Sequence, residues 1–144
     1  MKLSTRTRYG LRAMLELAQN YQGSPVQIKA IAAHQDISVK YLEQLMAVLK
    51  STGLVRSIRG AKGGYLLARA PSKIKLSDCL KALEGPSLID LQCLENQNSC
   101  VRASDCVTRK VWAKIRQAVN DVTESITLKD LVDMASDNNS YYQI

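Results

Sequence analysis

Between residues 25 and 68 the chain passes through two short amphipathic segments, a tight break, and two apolar runs flanking a glycine-rich hexapeptide, an order that few folds accommodate. Pro25 suits the opening of a helix, and Ile28, Ile31 and Ala32 then recur at three- and four-residue intervals up to His34. After Gln35-Asp36-Ile37, Ser38 is a good N-cap for a helix to about residue 52. That helix has Tyr41, Leu42, Leu45, Met46 and Leu49 inward and Gly53 at its end. Two helices joined in this way make a helix-turn-helix. Leu54-Val55-Arg56-Ser57-Ile58 and Tyr65-Leu66-Leu67-Ala68 read as strands, and Arg59-Gly60-Ala61-Lys62-Gly63-Gly64 between them reads as the tip of a β-hairpin wing. A first helix over residues 4 to 21 precedes the motif, with Leu11, Met14, Leu15, Ala18 and Tyr21 at helical spacing. The fold class expected is mainly α with a small β-hairpin wing: a winged helix-turn-helix followed by a long C-terminal dimerisation helix.

Charge divides along the same line. Residues 1–75 hold thirteen Lys+Arg against three Asp+Glu, a net +10, whereas residues 76–144 hold seven against ten, a net −3. The expected organisation is a DNA-binding unit over 1–75 and a sensor loop with a dimerisation helix over 76–144. A basic first unit suits a polyanion. In that reading the third helix enters the major groove with Lys40, Glu43 and Gln44 outward and Ser38 and Tyr41 beside them, while Arg59 and Lys62 reach the backbone or an A·T-rich minor groove. Gln44 can pair bidentately with adenine. Glu43 either accepts from cytosine or stands as a solvated carboxylate near Lys40 or Lys50. No apolar run approaches the roughly 18 residues of a membrane span, and the amphipathic N-terminus lacks a secretory pattern, so a cytoplasmic location is expected.

Arg8-Tyr9-Gly10-Leu11, Tyr41-Leu42-Glu43-Gln44-Leu45, Gly53-Leu54-Val55, the Arg59–Tyr65 wing sequence and Ile126-Thr127-Leu128 together resemble the IscR- and CymR-type winged-helix transcription regulators of bacteria. The resemblance spans nearly the whole chain and rests on several motifs in the right order. It implies a homodimer that binds double-stranded promoter DNA, often as a repressor, with the glutamate matching Glu43 helping to distinguish operator classes.

In the second half, residues 77 to 84 read as a helix capped by Ser77 and stopped by Gly85-Pro86. Cys79 shares its apolar face with Leu76, Leu80 and Leu83, as a buried hydrophobe rather than a ligand. Cys93, Cys100 and Cys106 differ, because the polar residues between them lack core periodicity. A long helix follows over residues 105 to 125, with Trp112, Ile115, Val119, Val122 and Ile126 spaced three, four, three and four apart, a heptad stripe suited to a dimer interface. Thr127 is expected to cap a last short helix to Met134, before a loosely held tail from residue 136 to 144.

The trio has C-x6-C-x5-C spacing, without the C-x2-C pairs of common zinc sites. Cytosolic thiols are kept reduced, which disfavours a structural disulfide framework. The resemblance implies an iron–sulfur cluster on Cys93, Cys100 and Cys106, a two-iron, two-sulfur cluster foremost and a four-iron, four-sulfur cluster as the other form. The fourth ligand is undefined. IscR has a histidine where this chain has Arg109, and a nitric-oxide-sensing relative has an aspartate where this chain has Arg8; neither arginine can coordinate iron. Glu95, Ser104, Asp105, Thr108, an external thiol or water are the remaining candidates, and Arg109 can instead offset cluster charge or hydrogen-bond a sulfur. The alternatives are a cluster-free thiol redox switch, or a CymR-like repressor of sulfur metabolism that senses through a protein partner. An enzyme is not expected: one histidine without an evident partner, no phosphate-binding loop and no serine nucleophile signature leave no catalytic constellation.

Overall fold

In the computed structural model, which describes residues 1–142, Ser4 begins the first helix by accepting the Thr7 N–H at 3.1 Å. Helix α1 (Thr5–Gln19) buries Thr7, Gly10, Ala13, Met14, Leu17 and Ala18. The face differs from the expected one: Leu11 and Leu15 are half-buried and Tyr21 is exposed. Small residues take the contact because α4 (Leu76–Leu83) lies so close that a Cβ on Gly10 would come within 2.6 Å of the Leu83 methyl groups.

Helix α2 (Ile28–Gln35) starts three residues later than Pro25 because Val26 is held as a strand residue against Tyr65, with N–H···O distances of 3.0 and 2.8 Å. Asp36 then turns the chain in the left-handed region at φ 53°, which aspartate tolerates better than most residues. Helix α3 (Val39–Ser51) is capped by Ser38, whose Oγ accepts the Tyr41 N–H at 3.2 Å, and it buries Leu42, Leu45, Met46 and Leu49. Strands β1 (Val55–Ile58) and β2 (Gly64–Leu67) pair antiparallel in the register Val55↔Leu67 to Ile58↔Gly64. The wing is therefore present, with both strands slightly shorter than the apolar runs.

Ser77 is not the cap of α4. Asp78 accepts the Lys75 N–H at 2.9 Å, so the helix starts earlier and Ser77 is buried in its first turn. Cys79 is fully buried, and burial pushes its thiol pKa up to about 12. A short helix, α5 (Gln92–Glu95), and one 3₁₀ turn (Gln97–Ser99) interrupt the cysteine loop. Helix α6 (Val107–Ser125) begins two residues after the expected start, because Cys106 is its cap, and buries none of its residues.

Thr127 does cap α7 (Leu128–Tyr142): its N–H and hydroxyl meet the Asp130 carboxylate while its hydroxyl accepts the Asp130 N–H. That helix runs well past Met134, through most of the segment expected as a loose tail; residues 143 and 144 lie outside the described residues. One hydrophobic cluster contains residues from α1 to α4 together with Leu128, and Leu131 and Val132 pack against it. Among the described residues no helix is long and apolar enough to cross a membrane.

Candidate nucleic-acid interface and cysteine site

With Leu42, Leu45, Met46 and Leu49 turned into the core, α3 leaves Ser38, Lys40, Glu43 and Gln44 exposed. Tyr41 is half-buried and meets Tyr9 edge-on, with ring centroids 6.2 Å apart. The Arg12 guanidinium lies 5.5 Å over the Tyr9 ring and also donates to the Gln35 side chain and carbonyl at 2.8 and 2.9 Å. Glu16 completes the tie by accepting from Gln35 at 2.8 Å and bonding His34 Nδ1 at 2.6 Å. His34, on α2, thus has its partner on α1. These contacts fix the turn and the start of α3 relative to α1, which orients the exposed face.

The wing carries Arg59 and Lys62 in the exposed position expected for them. It is braced on the segment leading into α2 by the Val26–Tyr65 bridge and by Gln27 Nε2 donating to the Ala61 carbonyl at 3.3 Å. Sequence reasoning missed this brace. The signal was a β-branched residue, Val26, directly after Pro25, which favours extended backbone as readily as a helix start.

The cysteine segment is built differently. Between Gly85 and Cys106 only Ala103 is buried, so few apolar contacts hold the chain there. Cys93 and Cys106 are half-buried, Cys100 is exposed, and all three thiols are free. Cys106 Sγ accepts the Arg109 N–H at 3.4 Å and lies 3.2 Å from the Thr108 hydroxyl. The Thr108 hydrogen bond, with the Arg109 N–H adding to it, holds the Cys106 thiol below its ordinary pKa. The Arg109 side chain does not reach a sulfur; its Nε donates to the Cys93 carbonyl at 2.7 Å. Arg116, two turns along α6, pairs with the Glu95 carboxylate.

Among the described residues no three Cys, His, Asp or Glu side chains converge as a ready metal-holding group. Of the fourth-ligand candidates, Glu95 is engaged by Arg116, Thr108 adjoins Cys106, and Ser104 and Asp105 are exposed. By type the donors fit an iron–sulfur group, since three unpaired, solvent-reachable thiols are the soft ligands such groups take.

At the other end, α6 and the start of α7 are stitched to residues 74–81. Leu76 N–H donates to the Ile126 carbonyl at 2.8 Å and Leu128 N–H to the Ile74 carbonyl at 3.0 Å. Glu124 bonds Lys75 at 3.0 Å and Lys81 at 3.4 Å, and its carboxyl pKa falls to about 2, chiefly through Lys75 with Ser77 and Lys81 adding.

A braced wing, an exposed and capped third helix and a basic first half define a winged helix-turn-helix DNA-binding regulator. The pattern of the Rrf2 family, described as "Iron-dependent Transcriptional regulator", matches residues 3–134, and the chain belongs to that family. It is 43% identical over 131 residues to the transcriptional regulator CymR of Bacillus subtilis, covering 91% of this chain and 89% of that one. It is 35% identical over 132 residues to the transcriptional regulator IscR of Pectobacterium atrosepticum, covering 92% and 79%. Solved structures that are similar include two with close sequence identity. One is that of CymR, "the Global Cysteine Regulator of B. subtilis", with TM-score 0.80 and 42% identity over 93% of this chain and 98% of that one. The other is T. potens IscR, with TM-score 0.76 and 43% identity over 94% and 88%. The chain is a transcription regulator rather than an enzyme.

Proposed function

We propose that the chain is a homodimeric promoter-binding regulator whose DNA affinity is set at Cys93, Cys100 and Cys106, which hold an iron–sulfur group, two-iron, two-sulfur foremost. The observation that carries this is the placement of three free thiols on a thinly buried segment whose anchors run to α6. When bound, such a group supplies a redox-active and oxidant-sensitive centre. The chain's own residues do the rest: the segment closes around its three donors, and Arg109 and Arg116 pass that closure to α6. The pins at Ile126, Leu128 and Glu124 convey it to residues 74–81 and so to α4, which packs against α1 and α3. Residues 1–75 read the DNA through Ser38, Lys40, Tyr41, Glu43, Gln44, Arg59 and Lys62, and residues 76–144 sense and dimerise.

Dimerisation is supported by the open face of α6, where Trp112 and Ile115 are each 41% exposed and Val122 is 55% exposed. Trp112, Ile115 and Val122, left exposed while Val119 and Ile126 of the same stripe are half-buried, suit a second copy, and a dimer spaces two recognition helices for a pseudo-palindrome about 34–36 Å apart.

A second reading, cysteine-thiol chemistry without a cluster, is favoured by the acidified Cys106 and by the likeness to Staphylococcus aureus CymR, solved in an "oxidized form". A partner-protein sensor would act on the same segment.

Purification without oxygen, followed by iron, acid-labile sulfide and promoter-binding measurements, separates these readings. Stoichiometric sulfide, with binding that differs between loaded and stripped protein and a difference abolished when all three cysteines become serine, supports the cluster. Absence of iron and sulfide, with binding that responds to a disulfide-forming oxidant, replaces it with the thiol switch.

A further inference from the structure

Arg109 sits in the first turn of α6, three residues after the Cys106 cap. Its backbone N–H bonds the Cys106 sulfur at 3.4 Å and its guanidinium bonds the Cys93 carbonyl at 2.7 Å, so one residue engages two of the three cysteines at once. The guanidinium stays protonated and its planar fork loses little freedom per bond formed, which makes it a durable donor to a carbonyl. Seven residues on, Arg116 is on the same side of the helix and ties Glu95, but that tie is made to a side chain and touches no cysteine. Cys100 is different again. It is exposed, and its only hydrogen bond among the described residues is its carbonyl accepting the Ala103 N–H at 3.1 Å.

We infer that the Arg109 side chain is the positioning group of the cysteine site, holding the Cys93 backbone against the first turn of α6 beside the Cys106 cap, while Cys100 is left without a side-chain tie among the described residues. This inference rests on the reading of the trio as a ligand site. It assigns a role to the side chain that occupies the place of a ligand, although that side chain cannot itself bind a metal. It also separates the trio by attachment, with Cys106 bonded at its sulfur, Cys93 at its carbonyl and Cys100 at neither by a side chain, a difference that the spacing alone does not show.

The test begins with the full-length, metal-free protein, so that it does not depend on whether a cluster forms. Site-resolved alkylation by N-ethylmaleimide and amide hydrogen exchange are compared in wild type, Arg109→Ala, Arg109→Lys and Arg116→Ala. In Arg109→Ala, Cys93 is expected to react about three- to tenfold faster and amides 92–96 to exchange faster by a similar factor, the scale of one charge-assisted hydrogen bond at a half-exposed site. Cys100 reactivity should stay near wild type in every variant. Arg109→Lys should recover much of the protection, since an ammonium can still donate to the carbonyl, and Arg116→Ala should leave Cys93 within about twofold of wild type.

After reconstitution with iron and sulfide, Arg109→Ala should show an altered visible circular dichroism spectrum and faster bleaching by a chelator, with Arg109→Lys intermediate. Equal Cys93 reactivity in wild type and Arg109→Ala, or equal loss in Arg109→Ala and Arg116→Ala, overturns the inference. If Arg109→Ala does not fold, Arg109→Met, which keeps the aliphatic stem and removes the donor, takes its place under the same criteria. Failure of the wild type to retain iron and sulfide removes the cluster reading while leaving the metal-free comparison standing.

Discussion

Replacing Gly64 with alanine tests whether the wing is held by its seat on the segment leading into α2 rather than by its own hairpin. At φ +152°, a Cβ on Gly64 would lie 2.4 Å from the Val26 carbonyl oxygen and 2.6 Å from its carbon, both backbone atoms that cannot rotate aside. Relief requires the wing to lift from Val26, losing the two bridge hydrogen bonds of 3.0 and 2.8 Å. Those bonds are worth about 1–3 kcal/mol together, and unfavourable backbone adds about 1–2 kcal/mol, so the expected destabilisation is about 2–5 kcal/mol. Gly60→Ala is the matched control. Gly60 is at φ +113° with nothing within 4 Å of its Cβ, so only the backbone cost of about 1–2 kcal/mol applies. Urea unfolding at equal slope measures both variants, and hydrogen exchange at the Tyr65 amide locates the damage. Gly64→Ala should expose that amide while Gly60→Ala protects it. Equal destabilisation by the two substitutions, or an unchanged Tyr65 amide in Gly64→Ala, would refute the reasoning.

Arg59→Ala should weaken promoter binding and reduce the slope of log K against log salt by about one unit, as measured by fluorescence anisotropy across a salt series. Ile115→Asp, placed in the exposed stripe of α6, should halve the sedimenting mass while the circular dichroism of the helices persists. Cys79 should resist alkylation in the folded protein and react only on unfolding, given its full burial and a thiol pKa near 12; mass spectrometry of labelled peptides reads this directly. Glu84, held low chiefly by the Thr7 hydroxyl and then by Ser4, and Glu124, at about 2, both have depressed folded-state values. Their contribution is present above the ordinary carboxylate value of 4.5 and is lost as pH falls, for Glu124 down to about 2, so acid unfolding of Glu124→Gln should depend less steeply on pH in that window.

The helix-turn-helix and wing were legible because each rests on local chemistry: the period of Leu42, Leu45, Met46 and Leu49, the Ser38 cap, and glycines between two apolar runs. The face of α1 was not, because Thr7, Gly10 and Ala13 are buried for their small size against α4, whereas a hydrophobic pattern favours Leu11 and Leu15. The length of α7 was missed for a related reason. Its Ser-, Asp- and Asn-rich end has weak intrinsic preference, which a helix already started by the Thr127–Asp130 cap and packed through Leu128, Leu131 and Val132 can override. At the cysteine site the three residues could be singled out from residue type and loop context. The tie from Arg109 could not, because its acceptor is the carbonyl of Cys93, a group that every residue carries and no pattern marks.

The shallow burial from Gly85 to Cys106 also bears on how such regulators diversify. Because Ala103 alone is buried there, the segment can be lengthened, shortened or given new donors while the core of Met14, Leu42, Met46 and Ile74 remains intact. A transplant of residues 86–105 from another family member therefore has to preserve the hydrogen bonds to Arg109 and Arg116, the seat of Ala103 and the packing of α5 on α6. On the proposed reading, promoter recognition and the cysteine segment occupy separate parts of the chain, so a change in the segment leaves the face that meets DNA in place.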